Sequence, residues 1–190
     1  MKKIIAVILS IMMTFSLILT GCLFVINYVV LNADFYTNII DKNGVYSEIY
    51  NDINSQIKNE LIKNNVVVTD NYNFISEEEC KNLINQNLEN VFSYLKGTSN
   101  NVSKLDLAQY EKNANIYIDN YLNENGIVSN NLINSVKENL NNSVSNIIRN
   151  NVDVMFINRI VSSSMFSKVR VITTIFYRYL IYACIATDIF

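Results

Sequence analysis

The densest cluster of reactive side chains is Glu77-Glu78-Glu79-Cys80. Three carboxylates beside a thiol have the donor types of a metal site. The cluster also follows Ser76, and a serine with a glutamate three positions later is typical of an N-terminal helix cap, where acidic side chains complement the helix dipole. We therefore predict that the acids begin a helix, that Cys80 faces the core, and that no metal is bound.

Catalytic side chains of the common kinds are scarce. The chain of 190 residues has no histidine, which is the usual proton shuttle and the commonest metal ligand. Its glycines are isolated at positions 21, 44, 97 and 126, so the sequence has no glycine-rich loop for a phosphate. The serines at 162–164 have no base nearby and are interpreted as a flexible junction. We expect a protein that is not an enzyme and uses no cofactor.

A cysteine near the N-terminus stands in a modification motif. Leu19-Thr20-Gly21-Cys22 resembles the signal of bacterial lipoproteins, in which a small residue precedes a cysteine that is lipidated and becomes the new N-terminus. The apolar segment continues to residue 31, however, whereas mature lipoproteins usually begin with a polar tether. Three outcomes stay open: an uncleaved anchor, which we favour, lipidation at Cys22, and ordinary signal cleavage.

The N-terminal segment predicts a membrane helix. Lys2 and Lys3 precede an apolar run at 4–31, and flanking cations keep that end in the cytoplasm. A helix of this length reaches about 42 Å, more than the ~30 Å hydrocarbon core, and tilting accommodates the excess. The predicted organisation is a cytoplasmic tip at 1–3, a transmembrane anchor at 4–31 and an extracytoplasmic domain at 32–164.

The middle segment is polar and acidic. Residues 32–164 contain 10 Lys or Arg against 16 Asp or Glu. Nucleic-acid binding requires a basic footprint, so this charge argues against nucleic acid as a partner. The partners that we expect are the lipid bilayer and another membrane or envelope protein.

Apolar residues recur in the middle segment at the helical period of three and four. Four stripes predict four amphipathic helices, which must bury their apolar faces, so the predicted fold class is all-α, a helical bundle ectodomain between two membrane segments. The stripes begin near Val45, Cys80, Leu107 and Leu132, and the last is expected to continue through Met155, Phe156 and Ile160. Turns are predicted at Asn43-Gly44, Lys96-Gly97 and Asn125-Gly126, and a cap at Ser129.

The C-terminal segment, 165–190, is apolar again. It has an amphipathic pattern, with Arg170 and Arg178 opposite the apolar face, and is interpreted either as an interfacial helix or as a second, truncated transmembrane segment. Arg178 is the candidate for a membrane function, because a cation in an apolar segment is costly; its alternative is to reach the interface beside Tyr177 and Tyr179. Because Cys22 and Cys184 both lie in apolar segments, the middle domain has no disulfide framework.

Four short motifs resemble those of an uncharacterised group of bacterial membrane proteins. They are Phe35-Tyr36, Asn43-Gly44-Val45-Tyr46, Tyr94-Leu95-Lys96-Gly97 and Leu105-Asp106-Leu107. In that group an N-terminal anchor precedes a helical outer domain, and further membrane helices follow. The resemblance implies this topology and a missing C-terminal portion. It implies no activity.

The sequence leaves two functional hypotheses of different classes besides the lipoprotein alternative at Cys22. The first is a non-enzymatic, membrane-tethered interaction or structural domain, based on the anchor and the absence of catalytic side chains. The second is the ligand-sensing ectodomain of a two-pass receptor, based on a helical domain between two membrane segments. A receptor of that kind needs a signalling module, which these residues do not encode.

Overall fold

The computed structural model describes residues 2–68, 72–126, 131–153 and 164–188. Helices make up 81% of the structure, and the described residues contain no strand. The predicted all-α class is therefore confirmed. The predicted cap at Ser129 and the predicted continuation through Met155, Phe156 and Ile160 lie outside the described residues.

Seven α-helices form the described chain, and one π-helical turn extends the first of them. They are α1 (Lys2–Val25) with the turn Ile26–Val30, α2 (Ala33–Lys42), α3 (Val45–Lys63), α4 (Glu77–Leu95), α5 (Ala108–Glu124), α6 (Asn131–Val152) and α7 (Ser164–Asp188).

The ends of α4 follow the sequence signals. The Glu79 amide donates to the Ser76 hydroxyl (3.2 Å), and the Ser76 amide donates to Glu79 Oε2 (2.8 Å), which is the reciprocal pair of a capping box. At the other end, Gly97 has a φ of +73° and donates its amide to the Tyr94 carbonyl (3.1 Å). This left-handed residue ends the helix where the sequence predicts it.

The chain divides into two compact units. Unit 1 comprises residues 1–38, 89–102 and 158–190, and unit 2 comprises 39–88 and 103–157. The units therefore interleave along the sequence, and α4 contributes to both. Their charges differ in sign: unit 1 has seven Lys or Arg against three Asp or Glu, whereas unit 2 has eight against fourteen.

Unit 2 buries one apolar stripe from each of its main helices. In α3 the predicted stripe is buried from Ile53 to Leu61. Its N-terminal part differs, because Tyr46 is buried while Ile49 and Tyr50 are half-buried. The predicted stripes of α4 and α5 are buried, except that Tyr117 and Tyr121 are only half-covered. The largest fully buried side chains of the described part of unit 2 are Ile53, Ile57, Leu61, Ile75, Cys80, Ile84, Leu88, Leu140, Val144, Ile148 and Val152.

A buried asparagine holds the irregular segment between α3 and α4. Asn54 is only 4% exposed, and its Oδ1 accepts from the Phe74 amide (2.7 Å) while its Nδ2 donates to the Ile75 carbonyl (3.1 Å). These bonds satisfy backbone groups that would otherwise be buried without partners. The sequence pattern did not identify Asn54, because it lies beside the apolar stripe of α3.

Unit 1 contains α1, α7 and the C-terminal part of α4. The helices α1 and α7 contact each other, and the Tyr36 ring stacks on Phe92 with centroids 5.0 Å apart. Leu23, Leu31 and Phe92 are buried in this unit. Most apolar side chains of α1 are instead exposed, Phe15 by 68%.

One helical stretch among the described residues is long and apolar enough to cross a membrane. It covers 28 residues, Lys3–Val30, and no part of its most apolar window is buried within the protein. A signal sequence can have the same length and composition. The helix α7 does not qualify as a second span, although the sequence predicts an interfacial helix or a second transmembrane segment at 165–190. Physically, the charged and polar side chains of α7, including Lys168, Arg170 and Arg178, lower its apolar character.

Candidate functional site

The candidate lipidation site lies in the apolar helix. Cys22 is exposed on α1, and the position beside it, Gly21, has open space around it. The thiol is therefore not enclosed by the protein. Lipidation at Cys22 stays a prediction, because exposure on a membrane-type helix is compatible with both an anchor and a lipoprotein.

The acidic cluster forms the start of a helix. Glu79 belongs to the capping box, and Glu77 accepts a hydrogen bond from the Ser47 hydroxyl. Cys80 is fully buried, and burial, followed by the nearby Glu77 charge, raises the pKa of its thiol to about 11. A buried thiol with a raised pKa is a poor nucleophile. In the described residues, no group of three or more His, Cys, Asp or Glu is placed to hold a metal ion.

The arginine with the most protein contacts on α7 is not the one that the sequence singled out. Arg178 is exposed, and its predicted membrane function stays a prediction. Arg170 instead donates from Nε to the Tyr94 carbonyl (3.2 Å) and from a terminal nitrogen to the Ser99 carbonyl (3.1 Å). Its guanidinium also lies 4.5 Å from the centre of the Tyr94 ring. A cation here complements the C-terminal end of the α4 dipole.

Two threonines of α7, next to Arg170, also contact the end of α4. Thr173 donates from Oγ1 to the Leu95 carbonyl (2.7 Å), and Thr174 donates to the same oxygen at 3.4 Å. Thr174 also lies against Gly97, where an added Cβ would be 2.7 Å from its Cγ2 atom. The polar face of α7 therefore satisfies carbonyls that the end of a helix leaves without intrahelical partners.

The opposite face of α7 is apolar and exposed. Steps of three and four, which place residues on one helical face, connect Ile172, Ile175, Tyr179 and Tyr182. The side chains of Ile175, Tyr179 and Tyr182 are 48%, 64% and 69% exposed. We call these four residues the outer stripe of α7. In sequence, the signal for this arrangement is the amphipathic pattern with Arg170 opposite the apolar face, but the pattern does not say which face contacts protein.

Unit 2 contains a groove lined by tyrosines. It has a volume of about 500 Å³ and is open to solvent. The Tyr72 and Tyr117 rings lie 4.4 Å apart, and the Tyr117 hydroxyl donates to the Val67 carbonyl (3.2 Å). Burial, followed by Tyr117, raises the pKa of Tyr72 above its ordinary value of 10. We call it the tyrosine groove; its walls are completed by Asn120, Tyr121, Glu124 and Asn125.

Comparisons with known proteins do not assign the chain. No protein-family model matches it, and no similar curated protein or solved structure is found.

Proposed function

We propose that this chain is a membrane-anchored helical protein whose acidic unit 2 acts outside the cytoplasm by interaction or structural support rather than by catalysis. The observation that carries the proposal is the helical stretch of α1 and its π-helical turn: its 28 residues, Lys3–Val30, are apolar enough to cross a membrane, and their most apolar window is not buried by the protein. Exposed apolar surface of this extent requires a nonaqueous environment, which a bilayer supplies.

The proposed orientation follows from charge at the N-terminus. Lys2 and Lys3 precede the apolar helix, and the positive-inside rule keeps them in the cytoplasm. A single crossing then places residue 32 on the other side. Unit 2 carries an excess of acidic residues, which suits a water-facing domain more than one held against an anionic membrane surface.

The non-enzymatic part of the proposal rests on how the reactive groups are used. At the start of α4, Glu79 forms the cap and Glu77 accepts a hydrogen bond from Ser47 of α3, and the one thiol in unit 2 is buried beside them. These three side chains, Glu77, Glu79 and Cys80, therefore have structural roles. Hydrolytic activity of the purified chain that one acidic substitution abolishes would overturn this part.

Membrane extraction tests the anchor. Two arginines in place of Ile11 and Phe15, both more than 60% exposed on α1, should cost about 5–7 kcal/mol of insertion free energy near the helix centre. We expect this variant to leave the membrane pellet on alkaline washing, while the parent chain stays. Ile116→Arg, on an exposed position of unit 2, is the matched control and should stay in the pellet. Equal extraction of all three chains would contradict the anchor.

Cys22→Ala separates an uncleaved anchor from a lipoprotein. An uncleaved anchor needs no thiol, so we expect unchanged membrane association and an intact mass that includes residues 1–21. A lipoprotein would show a diacylated Cys22 at its N-terminus in mass spectrometry, and the substitution would block its processing.

A second function, the sensing ectodomain of a receptor, is favoured by the tyrosine groove. A groove of about 500 Å³ with aromatic walls and amide groups has the size and composition of a small-ligand site. The DNA downstream of codon 190 tests this candidate. An in-frame kinase or methyl-accepting region would support a receptor, and its absence would leave the interaction domain.

A further inference from the structure

The helix α7 has the reverse polarity of a surface helix in a water-soluble protein. Its polar side chains, Arg170, Thr173 and Thr174, contact the backbone of the 94–99 segment within unit 1. Its outer stripe is apolar and aromatic, and it is exposed. In water, an amphipathic helix buries its apolar face and exposes its polar face, so this arrangement suits an apolar surrounding.

In an apolar surrounding, the main cost is that of polar groups without hydrogen-bond partners. The contacts between α7 and the 94–99 segment remove this cost for the inner face of α7. Arg170 has two carbonyl partners and the Tyr94 ring, and Thr173 donates to Leu95. Polar groups next to lipid are costly unless they are hydrogen-bonded within the protein. The inner face of α7 meets this requirement, and the same bonds supply partners to the last carbonyls of α4.

The outer stripe belongs to the same unit as the anchor helix. Within unit 1, α7 contacts α1, whose apolar side chains are exposed along most of its length. Unit 1 also has a net positive charge, with seven Lys or Arg against three Asp or Glu. An apolar stripe, tyrosines and neighbouring cations are together the composition of a helix in the interfacial part of an anionic bilayer.

We propose that the outer stripe of α7 is in contact with lipid acyl chains, so that α7 is a second point of membrane attachment, while Arg170 and the two threonines fasten it to α4. This inference rests on the proposed membrane anchor. It commits to lipid rather than to a second copy of the chain, because α7 contacts α1, whose apolar side chains are exposed along most of its length.

The absence of tryptophan from the chain makes a direct test available. A single introduced tryptophan is the only one in the protein, and its emission is quenched when it meets lipids brominated on their acyl chains. The full-length protein is reconstituted in such vesicles as four variants. Phe15→Trp reports the anchor, Tyr179→Trp reports the outer stripe, Tyr177→Trp lies on the inner face near Lys96, and Ile62→Trp reports an exposed site in unit 2.

We expect Tyr179→Trp to lose emission to an extent similar to Phe15→Trp, Tyr177→Trp to lose clearly less, and Ile62→Trp to keep its emission. Quenching of Phe15→Trp without quenching of Tyr179→Trp would overturn the inference and leave the anchor intact. If Phe15→Trp were not quenched, the anchor itself would be wrong, and the inference with it. Equal quenching at 177 and 179 would overturn the assignment of faces.

Two further measurements make the outcome independent of one substitution. Tyr182→Trp lies on the same stripe, is 69% exposed, and should reproduce the quenching at 179. Circular dichroism of each variant establishes that the helices are retained. Efficient cross-linking between two copies through Tyr179→Cys, together with unquenched tryptophan at 179 and 182, would assign the stripe to a second copy and overturn the proposal.

Discussion

Substituting Gly97 by alanine should weaken the contact between α4 and α7. Gly97 has a φ of +73°, and a Cβ there would lie 2.7 Å from Thr174 Cγ2 and 2.8 Å from Thr174 Oγ1. Gly126 provides a matched position, because it also lies two residues beyond the end of a helix, has a φ of +66°, and has open space where a Cβ would be added. The two alanine variants therefore differ mainly in the contact with Thr174.

Two costs determine the expected losses of stability: the left-handed backbone conformation and the clash with Thr174. An alanine in the left-handed region costs about 1–2 kcal/mol, and this cost applies to both variants. The clash with Thr174 adds about 1–3 kcal/mol, as overpacking does elsewhere. We therefore expect Gly97→Ala to lower the free energy of unfolding by about 2–5 kcal/mol and Gly126→Ala by about 1–2 kcal/mol.

Urea unfolding of the full chain in detergent micelles, followed by circular dichroism, measures the difference. Thr174→Ala removes both γ atoms that the new methyl group would meet, so Gly97→Ala introduced into Thr174→Ala should cost about 1–2 kcal/mol, the loss expected for Gly126→Ala in the parent chain. The cycle isolates the coupling between the two residues. Equal losses for Gly97→Ala and Gly126→Ala, with no coupling to Thr174, would refute the described contact of α7 with the end of α4.

Three further predictions concern unit 2. Leu88→Ala should lower the free energy of unfolding by about 2–5 kcal/mol, because Leu88 is only 1% exposed; an unchanged denaturation midpoint would remove it from the core. Asn54→Ala should cost about 1–3 kcal/mol for each backbone group that it leaves without a partner, whereas the exposed Asn51→Ala should change stability by less than about 0.5 kcal/mol; similar losses would contradict the role of Asn54. Burial raises the pKa of the Cys80 thiol to about 11 from an ordinary value near 9, so its contribution to stability is present below pH 9 and is lost as the pH rises toward 11. Cys80→Ala should flatten this alkaline decline in pH-dependent unfolding, and an unchanged slope would contradict the raised pKa.

The helices could be predicted because their signals are local. The period of apolar residues and the serine–glutamate cap of α4 depend on neighbours within a few positions, and Gly97 ends the helix for the same local reason. In the first turn of α3, Tyr46 is buried in place of the predicted Val45, whereas the rest of the stripe, from Ile53 to Leu61, is buried as predicted. The Tyr46 ring lies under Lys81, and its hydroxyl donates to Asn85 (2.6 Å), so partners from α4, distant in sequence, decide its burial.

The attachment of α7 could not be predicted in the same way. The spacing of apolar residues predicts an amphipathic helix with cations opposite its apolar face, but both Arg170 and Arg178 fit that pattern. What distinguishes them is the segment at and just after the end of α4, more than 70 positions away, where the Tyr94 and Ser99 carbonyls accept hydrogen bonds from Arg170. Likewise, the role of Asn54 depends on backbone groups twenty positions later in the chain.

The central claim, that unit 2 lies outside the cytoplasm, is tested most directly by labelling a cysteine in unit 2 from outside the cell. Ile62→Cys, in a chain whose Cys22 and Cys184 are replaced by serine, supplies a thiol at a position 56% exposed, while the buried Cys80 remains as an internal control. A membrane-impermeant maleimide should label this cysteine in intact bacterial cells within minutes and leave Cys80 unlabelled until denaturant is added, with a cytosolic thiol protein confirming that the membrane is closed. Labelling at residue 62 only after the membrane is broken would place unit 2 in the cytoplasm and contradict the proposed function.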